Sequence, residues 1–131
     1  MTSRVSHTTF DCHDSYRLSE WWKQVVAYDD IPDDPNDEGD EECMISDRAS
    51  GHKLLFIEVA DDKTAKNRIH LDLVPTDGCR DEEVERVLAL GARMVVDLRN
   101  ADGSGWVVLA DPEDNEFCIL RSDAERDPSP S

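Results

Sequence analysis

One stretch in the second half of the chain brings an imidazole and a carboxylate to the same side of a predicted strand. Apolar and polar residues alternate there, as expected for a strand with one buried face. The apolar face comprises Ile69, Leu71 and Leu73. The opposite face carries His70 and Asp72, side chains that are able to transfer protons or orient a substrate.

A similar pattern occurs near the start of the chain. His7 and Asp14 have the same separation as His70 and Asp77, and a helical pattern follows each pair. Two such pairs are weak evidence in a chain so rich in Asp, so the predicted internal repeat depends on the elements that follow. The first strand, Val5–Cys12, then places His7, Thr9 and Asp11 on one face.

The first half of the chain has the order of a β-α-β-β unit. Asp14 is a suitable N-cap for a helix over Ser15–Ala27, whose apolar stripe includes the adjacent Trp21 and Trp22. The acidic, proline-containing segment 29–42 is predicted to be a loop, and it lacks the closing Glu of a calcium-binding loop. Two strands follow, Cys43–Ser46 and Lys53–Val59.

The second half repeats this order after a short polar link. The predicted elements are a strand over Arg68–Val74, a helix over Asp81–Leu90 and strands over Arg93–Leu98, Trp106–Ala110 and Glu116–Leu120. Residues 122–131 are predicted to be a frayed tail. Two such units predict an α+β fold in a single domain, 1–131. The modules are expected at about 5–60 and 66–121, and their curled mixed sheets are expected to surround a cavity.

Composition narrows the classes of partner. The chain has 131 residues with 31 acidic and 14 basic side chains, a formal charge of -17, which would repel a nucleic acid backbone. No apolar run is long enough for a membrane span, so a cytoplasmic protein without a membrane partner is expected. The four cysteines form no C-x-x-C pair and are predicted to be free thiols.

Several motifs in register resemble the vicinal oxygen chelate superfamily, which includes glyoxalase, bleomycin-resistance and extradiol-dioxygenase proteins. They are Phe10-Asp11-Cys12, Trp21-Trp22, Lys66-Asn67-Arg68-Ile69-His70-Leu71-Asp72-Leu73, Gly91-Ala92-Arg93 and Asp111-Pro112-Glu113-Asp114-Asn115-Glu116-Phe117-Cys118. The combination is most similar to the glyoxalase-like subgroup common in actinobacteria. The resemblance implies paired β-α-β-β-β modules around a small-molecule pocket, frequently in a homodimer.

The resemblance also implies a metal site. Metal-using members hold a divalent ion through His and carboxylate ligands, and the ion stabilises an enolate-like charge on the substrate. His7 and His70 match the two ligand positions that open strands, and such donors suit Zn, Ni, Mn or Fe. A Glu is expected where this chain has Cys118, so Glu58 and Glu116 become the candidate catalytic carboxylates. A metal-free protein is the alternative.

The implied ligand-binding set is Thr9, Asp11, Phe56, Asp72 and Cys118. Structural roles compete with this interpretation, because the two Asp side chains are equally suited to pairing with Lys66 or Arg68, and Cys118 to simple packing. The first hypothesis is a glyoxalase-like protein that binds a small organic molecule between its modules. The alternatives are a metal-dependent lyase or isomerase of the glyoxalase type, and an acidic interaction protein without small-molecule function.

Overall fold

The computed structural model describes residues 1–126 and has an α+β architecture. The chain divides into two compact units, Met1–Asp62 and the part from Lys63 onward. The elements of the first unit are β1 (Thr8–Cys12), α1 (Ser15–Val26), β2 (Asp29–Asp30), β3 (Glu42–Ser46) and β4 (Lys53–Glu58). Those described in the second are β5 (Leu71–Leu73), α2 (Arg80–Ala89), β6 (Arg93–Arg99), β7 (Gly105–Ala110), β8 (Glu116–Ile119) and α3 (Asp123–Arg126).

The two sheets have the same topology, which confirms the predicted duplication. Their strand orders are β1-β4-β3-β2 and β5-β8-β7-β6. In each sheet the first strand runs parallel to the last strand of its unit, and the other neighbours are antiparallel. Both sheets are open. Each unit is therefore a β-α-β-β-β repeat, and the predicted fold class is confirmed; β2 is a two-residue edge strand in the predicted acidic loop.

The helix of the first unit forms as its sequence predicts. The Asp14 side chain accepts a hydrogen bond from the Arg17 backbone N–H at 3.1 Å, and α1 ends where Ala27 adopts a left-handed conformation with φ 57°. The buried stripe includes Trp22, whose ring meets Phe10 edge-to-face. Phe10 in turn contacts Phe56, and complete burial of a Phe stabilises a unit by about 2–3 kcal/mol. The tryptophan pair is thus part of the core.

The second unit buries one face of its sheet beneath α2. Val84 and Val87 of this helix are fully buried, as are Val107, Leu109 and Ile119 of the sheet. The first turn of α2 carries acidic side chains, which the positive end of the helix dipole stabilises. The guanidinium of Arg80, also buried, donates to the backbone carbonyls of the β6–β7 turn, namely those of Gly103, Ser104 and Gly105.

The strand predicted over Arg68–Val74 is wrong in its extent. Only Leu71–Leu73 forms β5, and Ile69 is 82% exposed instead of belonging to the apolar face. The partner strand β8 begins at Glu116, and the Asn67 backbone N–H bonds to the Glu116 carboxylate at 3.2 Å instead of entering a ladder. A strand cannot extend beyond its hydrogen-bonding partner, so the segment before Leu71 is irregular.

Part of the predicted frayed tail is ordered. Ser122 and Glu125 form a reciprocal capping box, in which Glu125 accepts from the Ser122 N–H at 2.8 Å and Ser122 Oγ accepts from the Glu125 N–H at 3.2 Å. The rest of the predicted tail, 127–131, lies outside the described residues. The four cysteines are thiols, as predicted, and form no disulfide bond with one another. Across residues 1–126 no helix is long and apolar enough to cross a bilayer.

Candidate metal centre

Strand pairing in the second unit brings three donor side chains together. The parallel register of β5 and β8 sets Asp72 beside Cys118, so both side chains stand on the same face. His70 immediately precedes β5 and turns towards the same pair. Its Nδ1 atom lies 3.0 Å from Asp72 Oδ1 and 3.8 Å from Cys118 Sγ. We call His70, Asp72 and Cys118 the donor cluster.

The donor cluster has the composition and size of a divalent metal site. One nitrogen, one oxygen and one sulfur atom all lie within 4.8 Å of one another. Imidazole, carboxylate and thiolate are the ligands that zinc uses in proteins, and three protein ligands leave a coordination position for a substrate. A thiolate is a softer donor than the oxygens preferred by manganese, so this set fits zinc better than manganese.

Cys118 is held as a neutral thiol by its surroundings. Burial and the nearby Asp72 carboxylate together raise the pKa of Cys118 from 9.0 to about 11, while the charge of Lys66 opposes this shift. The arrangement also differs from a Cys–His–Asp catalytic relay, in which thiol and carboxylate contact opposite ring nitrogens. Here both contact Nδ1. Without a metal ion, Cys118 is therefore a poor nucleophile at neutral pH.

Glu116 lies on the same strand face as Cys118, as predicted, but its carboxylate is already engaged. Lys63 Nζ donates to one oxygen at 2.6 Å and the Asn67 backbone N–H donates to the other. Burial alone would raise the pKa of Glu116, but these hydrogen bonds and the charge of Lys63 outweigh it, so the pKa lies below its ordinary value. A carboxylate held in this way is a weak base, which disfavours its predicted catalytic role.

The sheet face around the donor cluster is apolar. A single row of register-paired residues crosses all four strands: Val96 pairs with Val108, Val108 with Cys118, and Cys118 with Asp72. Leu98 and Trp106 form the neighbouring pair on the same face. These apolar residues and Lys63 were not among the residues predicted from the sequence. The alternation of side chains along β6 and β7 indicates that the apolar residues share a face. Their alignment with Cys118 follows only from the register of the strands.

The candidate residues of the first unit divide between two sheet faces. Thr9 and Asp11 are exposed and share a face, with Leu55 and Ile57 as their register partners. Phe56 stands on the opposite face and is fully buried, and its ring packs in the core, which disfavours its predicted ligand contact. Glu58 pairs with Cys12 and is exposed at the end of β4.

His7 lies just before β1, and its Nδ1 is 2.9 Å from Ser6 Oγ. Its predicted role as a metal ligand stays a prediction. The other two histidines have local partners: His52 contacts Tyr28 Oη at 2.8 Å and Thr8 Oγ1 at 3.3 Å, and His13 contacts the carbonyl of Asp61 at 2.9 Å.

A depression of about 560 Å³ opens elsewhere on the second unit. It is lined by the β5–α2 loop and the start of α3, including Pro75, Asp77 and Ser122. None of the donor cluster lines it, and its wide opening to solvent is unlike an enclosed ligand site. The chemistry offered by His70, Asp72 and Cys118 is therefore the better guide to function.

Several solved structures of other proteins have the same fold as this chain. A mutant of the fosfomycin resistance protein FosX from Listeria monocytogenes, complexed with Mn(II) and 1S,2S-dihydroxypropylphosphonic acid, is 20% identical with a TM-score of 0.67, covering 96% of this chain and 95% of that chain. FosX from Mesorhizobium loti is 18% identical with a TM-score of 0.64, covering 96% and 98%. At these identities the similarity shows the fold alone.

A third structure, a glyoxalase/bleomycin resistance protein/dioxygenase family enzyme from Burkholderia phytofirmans PsJN, is 17% identical with a TM-score of 0.66 and covers 89% of this chain and 97% of that chain. The fold is thus that of the vicinal oxygen chelate class. Within it, the chain belongs to the glyoxalase-like domain family, whose model matches residues 7–120. No curated protein matches the sequence.

Proposed function

We propose that the protein binds a small organic molecule through a divalent ion, preferably zinc, held by His70, Asp72 and Cys118. The observation that carries this proposal is the convergence of one nitrogen, one oxygen and one sulfur donor within 4.8 Å on one sheet face. When bound, the ion would supply Lewis acidity to two neighbouring oxygens of the ligand. A FosX mutant with the same fold is complexed with Mn(II), which supports the proposal that this chain also binds a metal ion.

The residues of the chain then have distinct tasks. His70 and Asp72 offer donor atoms at the exposed side of the cluster, and Cys118 offers sulfur from the buried side. Lys63 and the Asn67 N–H hold the carboxylate of Glu116, two residues before Cys118, which keeps it charged and fixes its orientation. The apolar face formed by β6 and β7 excludes water from one side of the bound molecule.

Metal content and thermal stability test the proposal directly. Protein purified without an affinity tag should contain zinc, and EDTA should lower its melting temperature, because an ion bound only by the folded state stabilises it. His70→Ala and Cys118→Ser should each remove most of the ion. The matched control is Cys79→Ser, a thiol outside the donor cluster. Absence of metal together with no response to zinc or EDTA would contradict the proposal.

Metal-dependent lyase or isomerase activity is the second candidate. The Asp72 carboxylate supports it, because half of this side chain is exposed at the donor cluster and within reach of a bound molecule. A test is deuterium exchange at the carbon next to the carbonyl of hydroxyacetone, followed by NMR with zinc-loaded protein. Exchange that disappears in Asp72→Asn would support catalysis. Exchange no faster than in buffer would leave binding as the function. Cytoplasmic location and a homodimer remain part of this proposal.

A further inference from the structure

Strands β6 and β7 expose four large apolar side chains, of which Val95 lies at the β6 irregularity and the other three are paired in register. Val96, Leu98 and Trp106 keep 44%, 41% and 44% of their surface accessible. Leu98 pairs with Trp106 and Val96 with Val108, so the side chains stand on one sheet face. We call Val96, Leu98 and Trp106 the apolar strip. Exposure of large apolar side chains side by side indicates a contact surface more often than isolated exposed residues do.

The apolar strip is continuous with the donor cluster. Val108 connects them, because it is the register partner of both Val96 and Cys118. Adjacent strands are about 4.8 Å apart and residues two apart about 6.7 Å, which places the Trp106 Cα about 8 Å from the Cys118 Cα. One six-membered ring with a short linker spans that distance. A molecule bound by its oxygens at the cluster would therefore reach Trp106.

The strip is too small for a stable subunit interface by itself. Three partly exposed side chains offer on the order of 300 Å², whereas a standard interface buries about 800 Å² on each partner. Its area suits one ring or a branched aliphatic group. A divalent ion at the donor cluster would itself favour one anionic group at the cluster end, even in an otherwise acidic protein.

We propose that the apolar strip binds the apolar part of the molecule whose oxygens bind at His70, Asp72 and Cys118. The ligand class is then a small amphiphile, with two neighbouring oxygens at one end and a ring or branched chain at the other. A small, wholly polar molecule would leave Trp106 in water and gain nothing from the strip. This inference rests on the proposed function, because the donor cluster must anchor the polar end.

A pair of acids that differ only in the apolar part provides the test. Lactate and 3-phenyllactate share the same 2-hydroxycarboxylate group, and their dissociation constants with the zinc-loaded protein are measured by calorimetry. We expect 3-phenyllactate to bind at least tenfold more tightly. Trp106→Ser should remove most of this preference, and Trp106→Phe should retain it. Val5→Ser, which alters an exposed apolar residue outside the strip, is the matched control.

Tryptophan fluorescence gives a second readout. Trp21 and Trp22 are buried, so acrylamide should quench mainly Trp106. Saturating 3-phenyllactate should protect this fluorescence, whereas saturating lactate should not. Circular dichroism of each variant checks that it is folded.

The possible results separate the inference from the proposed function. Equal zinc-dependent affinity for both acids, or a preference unchanged in Trp106→Ser, would overturn the inference and leave the proposed function standing. Preference for 3-phenyllactate that persists with EDTA and in Cys118→Ser would support the strip and overturn the metal anchor. Conversion of a dimer to a monomer by Trp106→Ser, with the preference intact, would show the strip to be a subunit contact and overturn the inference. If neither acid binds, the result would contradict both the inference and the proposed function.

Discussion

Cys118 combines two properties that rarely occur together at a functional site. Its pKa is raised to about 11, first by burial and then by Asp72, so the thiol is protonated at neutral pH. Yet its sulfur lies 3.8 Å from the imidazole nitrogen of His70. A metal ion would resolve this opposition, because metal binding displaces the thiol proton. The same residue would then be inert in the metal-free protein and a strong ligand in the metal-bound one.

The first prediction concerns the alkylation of Cys118 after EDTA treatment. Its rate with iodoacetamide should rise through a midpoint well above pH 9, since the thiolate fraction at pH 8 is about a hundredfold smaller than for an ordinary thiol. Asp72→Asn removes the carboxylate that raises the pKa and should lower the midpoint. Peptide mass spectrometry assigns the modified cysteine. A midpoint at or below pH 9 in the unmodified chain would contradict the description of this site.

The second prediction concerns Lys63, the partner of Glu116. Lys63→Met should reduce the free energy of unfolding at pH 7 by about 1–2 kcal/mol, because a largely buried carboxylate loses its ion pair. The folded pKa of Glu116 is depressed, so this contribution is present above the unfolded pKa and is lost as pH falls through the folded value. Urea unfolding at pH 7 and at about pH 3 measures it.

Lys53→Met is the matched control for that substitution, since Lys53 is exposed at the start of β4. It should change the free energy of unfolding little at either pH. An equal loss of stability in Lys63→Met at both pH values would show that the ion pair is not its cause.

At the residue scale, the sequence pointed to His70 as a metal ligand and to Asp72 and Cys118 as ligand-binding residues, and these three side chains lie together in the structure. The sequence did not indicate that Asp72 contacts His70 instead of Lys66 or Arg68. Phe56 was also predicted to bind the ligand, although the alternation of side chains along β4 places it on the core face with Leu54. The alternation of side chains along β1 alone shows that Thr9 and Asp11 share a face. The strand register is needed to show which residues of β4 lie on that face.

At the scale of elements, a turn glycine controls the strand that carries Trp106. Gly105 begins β7 with φ +93°, and a Cβ there would lie 2.1 Å from the Leu98 carbonyl oxygen. Gly105→Ala should therefore destabilise the protein by about 2–4 kcal/mol, through both backbone strain and collision. Gly103→Ala is the matched control, because Gly103 has φ +92° but open space around its Cα.

Thermal and urea unfolding of the two glycine variants measure this difference. Gly103→Ala should lower the free energy of unfolding by about 1–2 kcal/mol, which is the effect of the left-handed conformation alone. Equal destabilisation by the two substitutions would mean that the β6–β7 turn adjusts its backbone and that the close approach to Leu98 is not maintained.

The sequence predicted the types of the secondary-structure elements more accurately than the residues at which they begin and end. The stripe of α1 and the Asp14 cap determined that helix to within one residue at its end. The strand before α2 was overextended because periodicity does not give the register between two strands, and Leu71 pairs with Phe117, one residue from the start of β8. The signal for α3 was present as Ser122-Asp123-Ala124-Glu125, a capping box outside any apolar run. A short helix without an apolar stripe is easily assigned to a tail.

At the scale of the whole molecule, the duplicated topology could be predicted from the sequence. The net charge affects the stability of the fold and not its topology. Two equivalent series of strand and helix patterns sufficed for the fold because each local pattern agreed with the same architecture. The formal charge of -17 has no such structural consequence. Its effect is self-repulsion of the compact state, which salt screens.

The salt dependence of the melting temperature tests that view. Raising NaCl from about 20 mM to about 500 mM at pH 7 should increase the melting temperature, by roughly 4 °C for each kcal/mol of repulsion relieved. Near the sequence pI of 4.3 the net charge is small and the increase should largely disappear. A melting temperature that falls with salt at pH 7 would indicate that attractive ion pairs dominate instead.

The central claim is that His70, Asp72 and Cys118 hold one divalent ion. Cobalt(II) binding monitored by absorption tests it most directly, because a cobalt–thiolate bond produces a charge-transfer band in the near ultraviolet that oxygen and nitrogen ligands do not. The account predicts such a band at one equivalent of cobalt, its loss in Cys118→Ser and its retention in Cys79→Ser. Absence of the band, or its persistence in Cys118→Ser, would contradict the account.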